Sequence, residues 1–464
     1  MSYTDISEIV LHGEKLEGSR VKVAGWVRTA RDSKTMAFIA LNDGTCLKHL
    51  QLVINKAEFP EEALSPCLRN GVSLEAEGVV VPAVAAGGGH EVNVTSLSLI
   101  GDCPQDYPLQ KKRHSMEFLR TIPHLRVRTN TFNAMLRVRS KVSFALHRFF
   151  QERGYTYIHT PIITGSDCEG AGEIFRVTTN GYEDARLAKD EAEYIAKDFF
   201  KRKAGLTVSG QLEGEVAAMA MGKIYTFGPT FRAENSNTPR HAAEFWQIEP
   251  EVAFAKLPDI IKVAESMIKF VISAVLEECS DEVDFFERAF EKGLRAKLES
   301  VVASDFAVLD YTDAIDILKK ADVEFAYPVE WGLDLQTEHE RYLTEQVLGK
   351  PVFVTNYPKK IKSFYMKQND DGKTVAATDL LVPGVGEIIG CSEREADYDK
   401  LLSAMTERGM NLDDYKGYME LRKYGTVPHS GFGLGLERIL MYVTGIGNIR
   451  DVQLYSRTTG DLMA

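Results

Sequence analysis

The chain has few cysteines, and their distribution excludes two common ways of stabilising a fold. Its 464 residues include only six of them, scattered without the paired spacing of a zinc site: Cys46, Cys67, Cys103, Cys168, Cys279 and Cys391. This usage indicates reduced, packed thiols rather than disulfides, and it predicts no structural metal.

Long apolar runs are also lacking. No run is long enough to cross a bilayer, and the first residues, MSYTDISEIV, lack the basic and apolar regions of a signal peptide. We therefore expect a cytoplasmic protein without a membrane partner. The formal charge is -12, with 55 Lys and Arg against 67 Asp and Glu. This balance argues against indiscriminate binding of nucleic acid, which requires clustered cations.

The first hundred residues predict five short strands with turns between them, and a helix at residues 58–69 after the third strand. This order matches an OB-fold β-barrel, a fold that binds single-stranded nucleic acid with basic residues and aromatic platforms. The residues of this kind are Arg28, Arg31, Phe38 and Gln51. The alternative, which this stretch alone favours, is another small barrel with Phe38 inside its core.

The segment after the barrel carries Pro104, Pro108 and Pro123 among polar and basic residues, which is typical of a hinge. We predict an OB-fold domain at residues 1–105, a hinge at 106–125 and a second domain at 126–464. In the second domain a long helix at 131–153 precedes a strand broken by Pro161. Long, unevenly spaced strands are predicted at 206–211, 223–232, 243–254, 351–356, 361–367 and 374–390, with amphipathic helices at 257–279, 312–321, 340–348 and 397–408. They predict an α+β fold with a mostly antiparallel sheet flanked by helices. Residues 181–203 predict an exposed insertion.

The most informative stretch is IYTFGPTFRAENSNTPRHAAEFWQIEPEVAF, in which two apolar strands enclose a loop rich in charge. Charge this dense between buried strands is costly unless it meets a charged ligand. Its Phe231-Arg232-Ala233-Glu234, Arg240-His241 and Glu244-Phe245 resemble motif 2 of the class II aminoacyl-tRNA synthetases. The region around Pro161 resembles motif 1, and Gly431 to Leu440 (GFGLGLERIL) resembles motif 3. The resemblance covers nearly the whole chain, and the asparaginyl branch fits best.

The resemblance implies an enzyme that activates L-asparagine with ATP and transfers it to tRNA-Asn. It also implies a homodimer formed through the motif 1 region around Pro161. In this chemistry the amino-acid carboxylate attacks the α-phosphate, so the protein supplies positioning and charge neutralisation. The implied catalytic residues are Arg232, Glu234 and Arg438, and the implied ATP ligands are Arg232, Glu234, His241, Phe245, Glu387 and Arg438. Phe245 and Arg438 would enclose the adenine.

Further roles follow from the same resemblance. Asp379 and Glu387 would hold Mg²⁺ against the phosphates, and hard oxygen ligands suit that ion. The barrel residues Arg28, Arg31, Phe38 and Gln51 would meet the tRNA anticodon. The implied amino-acid ligands are Glu169, Ser209, Gln211, Arg232, Glu249 and Arg394.

The amino acid itself is predicted from the need to distinguish an amide from a carboxylate, which takes one donor and one acceptor. Arg394 and Glu249 supply them. Similar aspartyl enzymes have a lysine where this chain has Gly214 in SGQLEGE, and an anionic Glu249 would repel aspartate. Cys391 and Glu393 depart from the family pattern, and we expect both near the amino-acid site.

Two other functions stay open at this point. An aspartyl-tRNA synthetase is the nearest alternative, and Gly214 with Glu249 argues against it. A catalytically silent RNA-binding paralogue is an alternative from another class. It would have lost phosphate and metal ligands, whereas Arg232, Glu234, Asp379, Glu387 and Arg438 are all present.

Overall fold

The computed structural model describes residues 2–83, 88–168, 174–236 and 238–462. The chain divides into two compact units, Met1–Ala134 and Met135–Ala464. The predicted hinge at 106–125 falls within the first unit, and the predicted domain limits stay a prediction. Within the described residues no helix is both long and apolar enough to span a bilayer.

The first unit contains a closed five-stranded barrel. Its strands are β1 (Arg20–Asp32), β2 (Met36–Asn42), β3 (Leu50–Asn55), β4 (Ser73–Pro82) and β5 (His90–Gly101). They are hydrogen-bonded in the order β1-β2-β3-β5-β4, with β3 and β5 parallel and the other pairs within this order antiparallel. The predicted OB-fold is therefore confirmed.

Alternation along β2 decides where Phe38 points. Ala37, Ile39 and Leu41 are fully buried in the barrel core, and successive side chains of a strand point to opposite faces. Phe38 is only partly buried and lies on the outer face. The alternative that placed Phe38 inside the core is wrong.

The part of the first unit that the structure describes also contains the short helices α1 (Ile6–His12), α2 (Glu61–Leu64), α3 (Met116–Arg120) and α4 (Pro123–Arg126). The helix predicted at 58–69 is shorter than expected, because α2 has four residues and a 3₁₀ turn, Ser65–Leu68, follows it. Pro66 explains the break, since proline has no N–H to donate and its ring clashes with an α-helical turn before it.

The second unit is built on an eight-stranded sheet. Its strands, in the order β11-β12-β13-β14-β15-β10-β9-β6, form antiparallel pairs except β11 with β12 and β6 with β9. The mostly antiparallel sheet is confirmed. Strands β7 and β8 pair separately. The bounds are β6 (Thr156–Tyr157), β7 (Ile163–Thr164), β8 (Gly205–Leu206), β9 (Lys223–Phe231), β10 (Glu244–Ala253), β11 (Ala307–Asp310), β12 (Val352–Thr355), β13 (Ala377–Val382), β14 (Gly386–Glu393) and β15 (His429–Gly435).

Helices surround this sheet, and several match the predicted amphipathic segments. The matching helices are those that begin at Asn130, Leu257, Tyr311, Thr337 and Tyr398. In the described residues the helices around this sheet are α5 (Asn130–Gln151), α6 (Tyr182–Leu187), α7 (Glu191–Ala196), α8 (Gln211–Met221), α9 (Leu257–Glu278), α10 (Ser280–Ala289), α11 (Leu294–Ala303), α12 (Tyr311–Lys319), α13 (Thr337–Arg341), α14 (Tyr398–Glu407), α15 (Lys416–Glu420) and α16 (Leu436–Thr444).

Three predicted strands are wrong. The single strand expected at 374–390 is two strands, β13 and β14, which pair in antiparallel orientation. The strand expected at 206–211 ends at Leu206, and Gln211 begins α8, whose Leu, Glu, Ala and Met residues are good helix formers. The segment at 361–367 is irregular, and a single bridge between Met366 and Arg394 attaches it to the sheet. The predicted insertion at 181–203 is largely exposed and contains α6 and α7.

Candidate active site

A cavity of about 280 Å³ lies against the large sheet of the second unit. The β9–β10 hairpin, β13, β14 and the β15–α16 junction supply most of its walls. Eleven of the predicted site residues line it: Ser209, Gln211, Arg232, Glu234, His241, Phe245, Glu249, Asp379, Glu387, Arg394 and Arg438. The predicted ligand Glu169 lies outside the described residues.

One end of the cavity carries the motif 2 and motif 3 arginines. Arg232 follows β9, and its guanidinium lies 5.5 Å from the ring centroid of Phe245 on the paired strand β10. Arg438, in the first turns of α16, donates from Nη1 to the Glu387 carbonyl at 3.0 Å and to Glu387 Oε2 at 3.3 Å. The cavity therefore presents two guanidinium groups and an aromatic face at the same end.

Arg240 contacts several elements at this end of the cavity. Its guanidinium donates to the Val385 carbonyl at 2.6 Å, contacts Thr337 Oγ1, and lies 3.5 Å from Glu340 Oε2. Val385 belongs to the β13–β14 turn and precedes Gly386, the first residue of β14, whose φ of +87° favours glycine. Arg240 thus joins the hairpin, helix α13 and this turn.

His241 and Glu234 lie on the same loop. Burial, followed by the positive charge of Arg438, lowers the pKa of His241, which also contacts Thr238 Oγ1. The Glu234 carbonyl accepts a hydrogen bond from Thr459 Oγ1 at 3.3 Å. The loop is therefore positively charged chiefly through its arginines, because the lowered pKa favours neutral imidazole at His241.

The two predicted metal ligands face each other across Gly390. Asp379 on β13 is paired with Gly390 on β14, three residues beyond Glu387. A Cβ at Gly390 would lie 3.4 Å from Glu387 Oε1 and 3.8 Å from Asp379 Oδ1, so these two oxygens converge over the glycine. The outer oxygens have cationic partners, since Lys362 Nζ lies 2.5 Å from Asp379 Oδ2 and Arg438 pairs with Glu387 Oε2.

This donor set fits a hard divalent cation, which prefers carboxylate oxygens. In the described part of the chain no three His, Cys, Asp or Glu side chains are grouped to hold a metal. Two carboxylate oxygens alone would leave most positions of an octahedral ion to water and substrate phosphate. That division is typical of Mg²⁺ bound together with a nucleotide.

At the other end of the cavity, Glu249 is a fixed acceptor. Its carboxylate accepts hydrogen bonds from Ser209 Oγ at 2.5 Å, Gly210 N at 2.9 Å and Thr226 Oγ1 at 3.1 Å. Three donors to one buried carboxylate favour its ionised form and hold it in one orientation. Glu249 therefore presents negative charge to the cavity.

Arg394 is held by a residue that the sequence analysis did not select. Its Nε and Nη2 donate to Glu251 at 3.2 and 2.5 Å, and its Nη1 donates to Ser392 Oγ at 2.7 Å. Glu251 lies two residues after Glu249 on β10, so both side chains point to the same face. The spacing of two residues between Glu249 and Glu251 was therefore the sequence signal that could have identified Glu251.

Beneath Arg394 lies a second buried carboxylate that was also missed. Glu215 accepts from Gln211 Nε2 at 3.0 Å, Tyr418 OH at 2.9 Å and Arg422 Nη2 at 2.7 Å, and His429 Nε2 lies 2.9 Å away. Nothing local in the sequence indicated this cluster, because Glu215 lies more than 200 residues from Tyr418, Arg422 and His429.

Of the two departures from the family pattern, only Cys391 lines the cavity. Burial raises the pKa of the Cys391 thiol, so it is a neutral, small wall residue. Glu393 does not add a charge beside the amino-acid site as we expected. Its carboxylate accepts from Lys367 Nζ at 2.7 Å and from Leu257 N, at the start of α9, at 3.3 Å. These contacts hold the Glu393 carboxylate toward Lys367 and the start of α9, outside the cavity lining.

The predicted anticodon residues lie on the barrel of the first unit. Arg31 is paired with Phe38, and its guanidinium lies 5.4 Å from the Phe38 ring centroid. Gln51 Nε2 donates to Glu91 Oε2 at 2.7 Å. Arg28 lies within a β-bulge between Val27 and Thr29. Its side chain is more buried than that of Arg31, and this burial lowers the pKa of Arg28.

Comparison with known proteins agrees with this geometry. Residues 115–459 match the family "tRNA synthetases class II (D, K and N)", and residues 21–100 match the "OB-fold nucleic acid binding domain". The chain is 55% identical to asparagine–tRNA ligase of Acetivibrio thermocellus over 99% of each chain. The chain belongs to the asparagine–tRNA ligases. Its relative in Geotalea uraniireducens is 56% identical over 95% of each chain.

A solved structure extends the similarity from the sequence to the fold. Asparaginyl-tRNA synthetase from Pyrococcus horikoshii, complexed with asparaginyl-adenylate, is 34% identical with a TM-score of 0.87. The alignment covers 100% of this chain and 99% of that one. The α+β architecture, with its N-terminal OB-fold and class II catalytic unit, is thereby confirmed.

Proposed function

We propose that the chain activates L-asparagine with ATP in the cavity of the second unit and then esterifies the amino acid to tRNA-Asn. The observation that carries the proposal is that the two ends of this one cavity are lined by different charged and polar groups. Arginines, an aromatic face and a carboxylate pair line one end, and a fixed acceptor beside a guanidinium lines the other. An amino acid and a nucleotide would meet between them.

At the nucleotide end the protein acts by positioning and by charge. Arg232 binds the α-phosphate and the substrate carboxylate, and its charge stabilises the negative charge that develops as the new bond forms. The Phe245 ring and the Arg438 guanidinium bind the adenine through its two faces. His241 binds the γ-phosphate, and Glu234 helps to position the nucleotide.

Asp379 and Glu387 are the residues that would hold Mg²⁺. Their convergent oxygens over Gly390 fit a divalent ion, which would neutralise phosphate charge when bound. The chain's own contribution is to keep Oδ1 and Oε1 close together, with Lys362 and Arg438 on the outer oxygens.

At the amino-acid end the side-chain amide meets Arg394 and Glu249. Arg394 donates to the amide oxygen, and Glu249 accepts from the amide NH₂. Aspartate would place a second carboxylate against the ionised Glu249, whose hydrogen bonds to Ser209, Gly210 and Thr226 keep it from turning away. Ser209, Gln211 and Glu169 bind the α-ammonium group.

The tRNA anticodon binds the outer face of the barrel, with one base stacked on Phe38 and with Arg28, Arg31 and Gln51 near it. The chain acts as a cytoplasmic homodimer through the region around Pro161. Exposed apolar side chains support the dimer, because Phe144 on α5 is 62% exposed and Ile162 and Ile163 are 43% and 44% exposed. Sedimentation at catalytic concentrations would test it.

The test of the function is ATP–pyrophosphate exchange on the purified chain, with asparagine and aspartate in parallel and Mg²⁺ present. We expect exchange with asparagine and little with aspartate. Glu249→Gln removes the repulsive charge, and we expect it to reduce the preference for asparagine, whereas the exposed Glu277→Gln should not. Exchange with aspartate alone would favour the aspartyl alternative, and silence with both would favour the non-catalytic paralogue.

A further inference from the structure

Lys362 is a cation of the cavity to which the motifs assign no role. It follows the 3₁₀ turn Lys359–Ile361 and lines the cavity wall. Its Nζ lies 2.5 Å from Asp379 Oδ2, and the two side chains are only 15% and 14% exposed. Nζ also lies 3.9 Å from the ring centroid of Tyr357. The lysine is therefore enclosed by a carboxylate and an aromatic face.

Lys362 faces the acidic groups of the cavity. Its Nζ lies 2.5 Å from Asp379 Oδ2, at the distance of a close salt bridge. It lies where several acidic groups would otherwise repel one another.

The pairing of Lys362 is selective between the two oxygens of Asp379. Oδ2 is bound by Nζ, while Oδ1 lies on the side of Gly390, toward Glu387 Oε1. Glu387 repeats this arrangement, because Arg438 takes Oε2 and leaves Oε1 on the Gly390 side. Each carboxylate thus has one oxygen engaged by a protein cation and one directed at a shared position.

We propose that Lys362 is a fixed cation of the metal site, which binds one oxygen of Asp379 and weakens the binding of a divalent ion to the free protein. Its ammonium group occupies the outer side of Asp379, so the carboxylate pair offers one oxygen each to a single divalent ion. The proposal rests on the proposed function, since that function brings a metal and a nucleotide to this place. Its consequence is that the free protein binds a divalent ion weakly, because Lys362 repels it until ATP supplies phosphate oxygens.

The test is a titration with Mn²⁺, followed by the electron paramagnetic resonance signal of the free ion, on the full chain without ATP. Mn²⁺ prefers the same oxygen ligands as Mg²⁺ and can be counted directly. In Lys362→Met we expect the apparent dissociation constant to fall about tenfold or more, because the repulsion is removed and Asp379 Oδ2 is released. Lys362→Arg should restore the wild-type value, and the exposed Lys360→Met should leave it unchanged.

Lys362→Gln, of similar length, repeats the test if the methionine variant unfolds, and circular dichroism checks the fold of each. Unchanged or weaker Mn²⁺ binding in the folded variants would overturn the proposal. Pyrophosphate exchange on the wild-type chain separates the two inferences. Exchange with asparagine together with unchanged Mn²⁺ binding in Lys362→Met would refute the role of Lys362 alone. Absence of exchange in the wild type would refute the function, whatever the metal titration shows.

Discussion

The guanidinium of Arg394 and the carboxylate of Glu251 form a two-point ion pair at the amino-acid end of the cavity, with Nε–Oε2 at 3.2 Å and Nη2–Oε1 at 2.5 Å. Glu251 is 0% exposed, and a Cβ at Gly431 would overlap its carboxylate. The planar fork of arginine matches a carboxylate in this way, and a lysine could not copy it. Glu251 therefore fixes the direction in which Arg394 points.

Glu251→Gln should weaken both the fold and the use of asparagine. The amide keeps the shape of the carboxylate but loses its charge, and a hydrogen bond to a charged group is worth about 1.5–3 kcal/mol. We expect the free energy of unfolding to fall by that order and the KM for asparagine to rise in pyrophosphate exchange. Denaturant unfolding and the exchange assay measure the two effects.

Glu277→Gln, on the exposed side of α9, is the matched control for this change. If Glu251→Gln matched this control in both assays, the ion pair would have no part in orienting Arg394.

The contrast between Glu251 and Glu215 shows how far the sequence could predict this site. The strand period already placed Glu251 on the face of Glu249, so local reasoning could have found it. Glu215 meets Arg422 and His429 only because α8, the turn after α15 and β15 come together in the folded chain. Such a cluster depends on tertiary packing, and no spacing in the sequence encodes it.

The segments of the fold also differ in how well the sequence predicts them. The barrel and the long helices were predictable because their apolar periodicity is strong, as in α5 and α9. The segment at 361–367 has an apolar pattern similar to that of a strand, yet it remains irregular and delivers Lys362 and Tyr365 to the cavity. Local preference is overridden there, at a position that lines the site.

Arg438→Ala should abolish adenylate formation. Its guanidinium is bound to the carbonyl and the carboxylate of Glu387, so the change removes both an adenine contact and a partner that positions a metal ligand. Loss of one preorganised charged donor typically costs a factor of about 10² to 10³ in kcat. Pyrophosphate exchange measures this loss directly.

The exposed Arg288→Ala on α10 provides the control, because it removes the same charge far from these contacts. Exchange near the wild-type rate in Arg438→Ala would refute the role assigned to Arg438.

Phe38→Ala should weaken tRNA charging while sparing adenylate formation. The Phe38 ring lies on the outer face of the barrel beside the Arg31 guanidinium, and stacking of one base on such a ring is worth about 1–3 kcal/mol. We expect the KM for tRNA-Asn to rise roughly five- to a hundredfold in aminoacylation. Pyrophosphate exchange without tRNA should stay at the wild-type rate.

Tyr3→Ala removes another exposed aromatic ring of the same unit and should leave tRNA charging unchanged. The hydroxyl of Tyr3 donates a hydrogen bond to Glu75. An equal loss in both assays for Phe38→Ala would contradict the separation of anticodon binding from activation.

His49 should make the stability of the barrel depend on pH. Burial, followed by the charge of Arg28, lowers the pKa of His49 from 6.5 to about 4. Above pH 6.5 the imidazole is neutral in both the folded and the unfolded chain. The protonation of His49 then makes no contribution to the free energy of unfolding. As the pH falls from 6.5 toward 4, the unfolded chain gains a proton that the folded barrel does not accept, so stability is lost in that window.

Between pH 7.5 and pH 5 this difference amounts to about 2 kcal/mol of unfolding free energy. His49→Gln cannot titrate, so its barrel should lose about that much less stability over the same range. Hydrogen exchange of the β1–β5 peptides at increasing urea measures the barrel separately from the second unit. The exposed His12→Gln should follow the wild type. If the wild-type and His49→Gln barrels lost equal stability on acidification, His49 would have to take up its proton in the folded state. The burial beside Arg28 would then not control its charge.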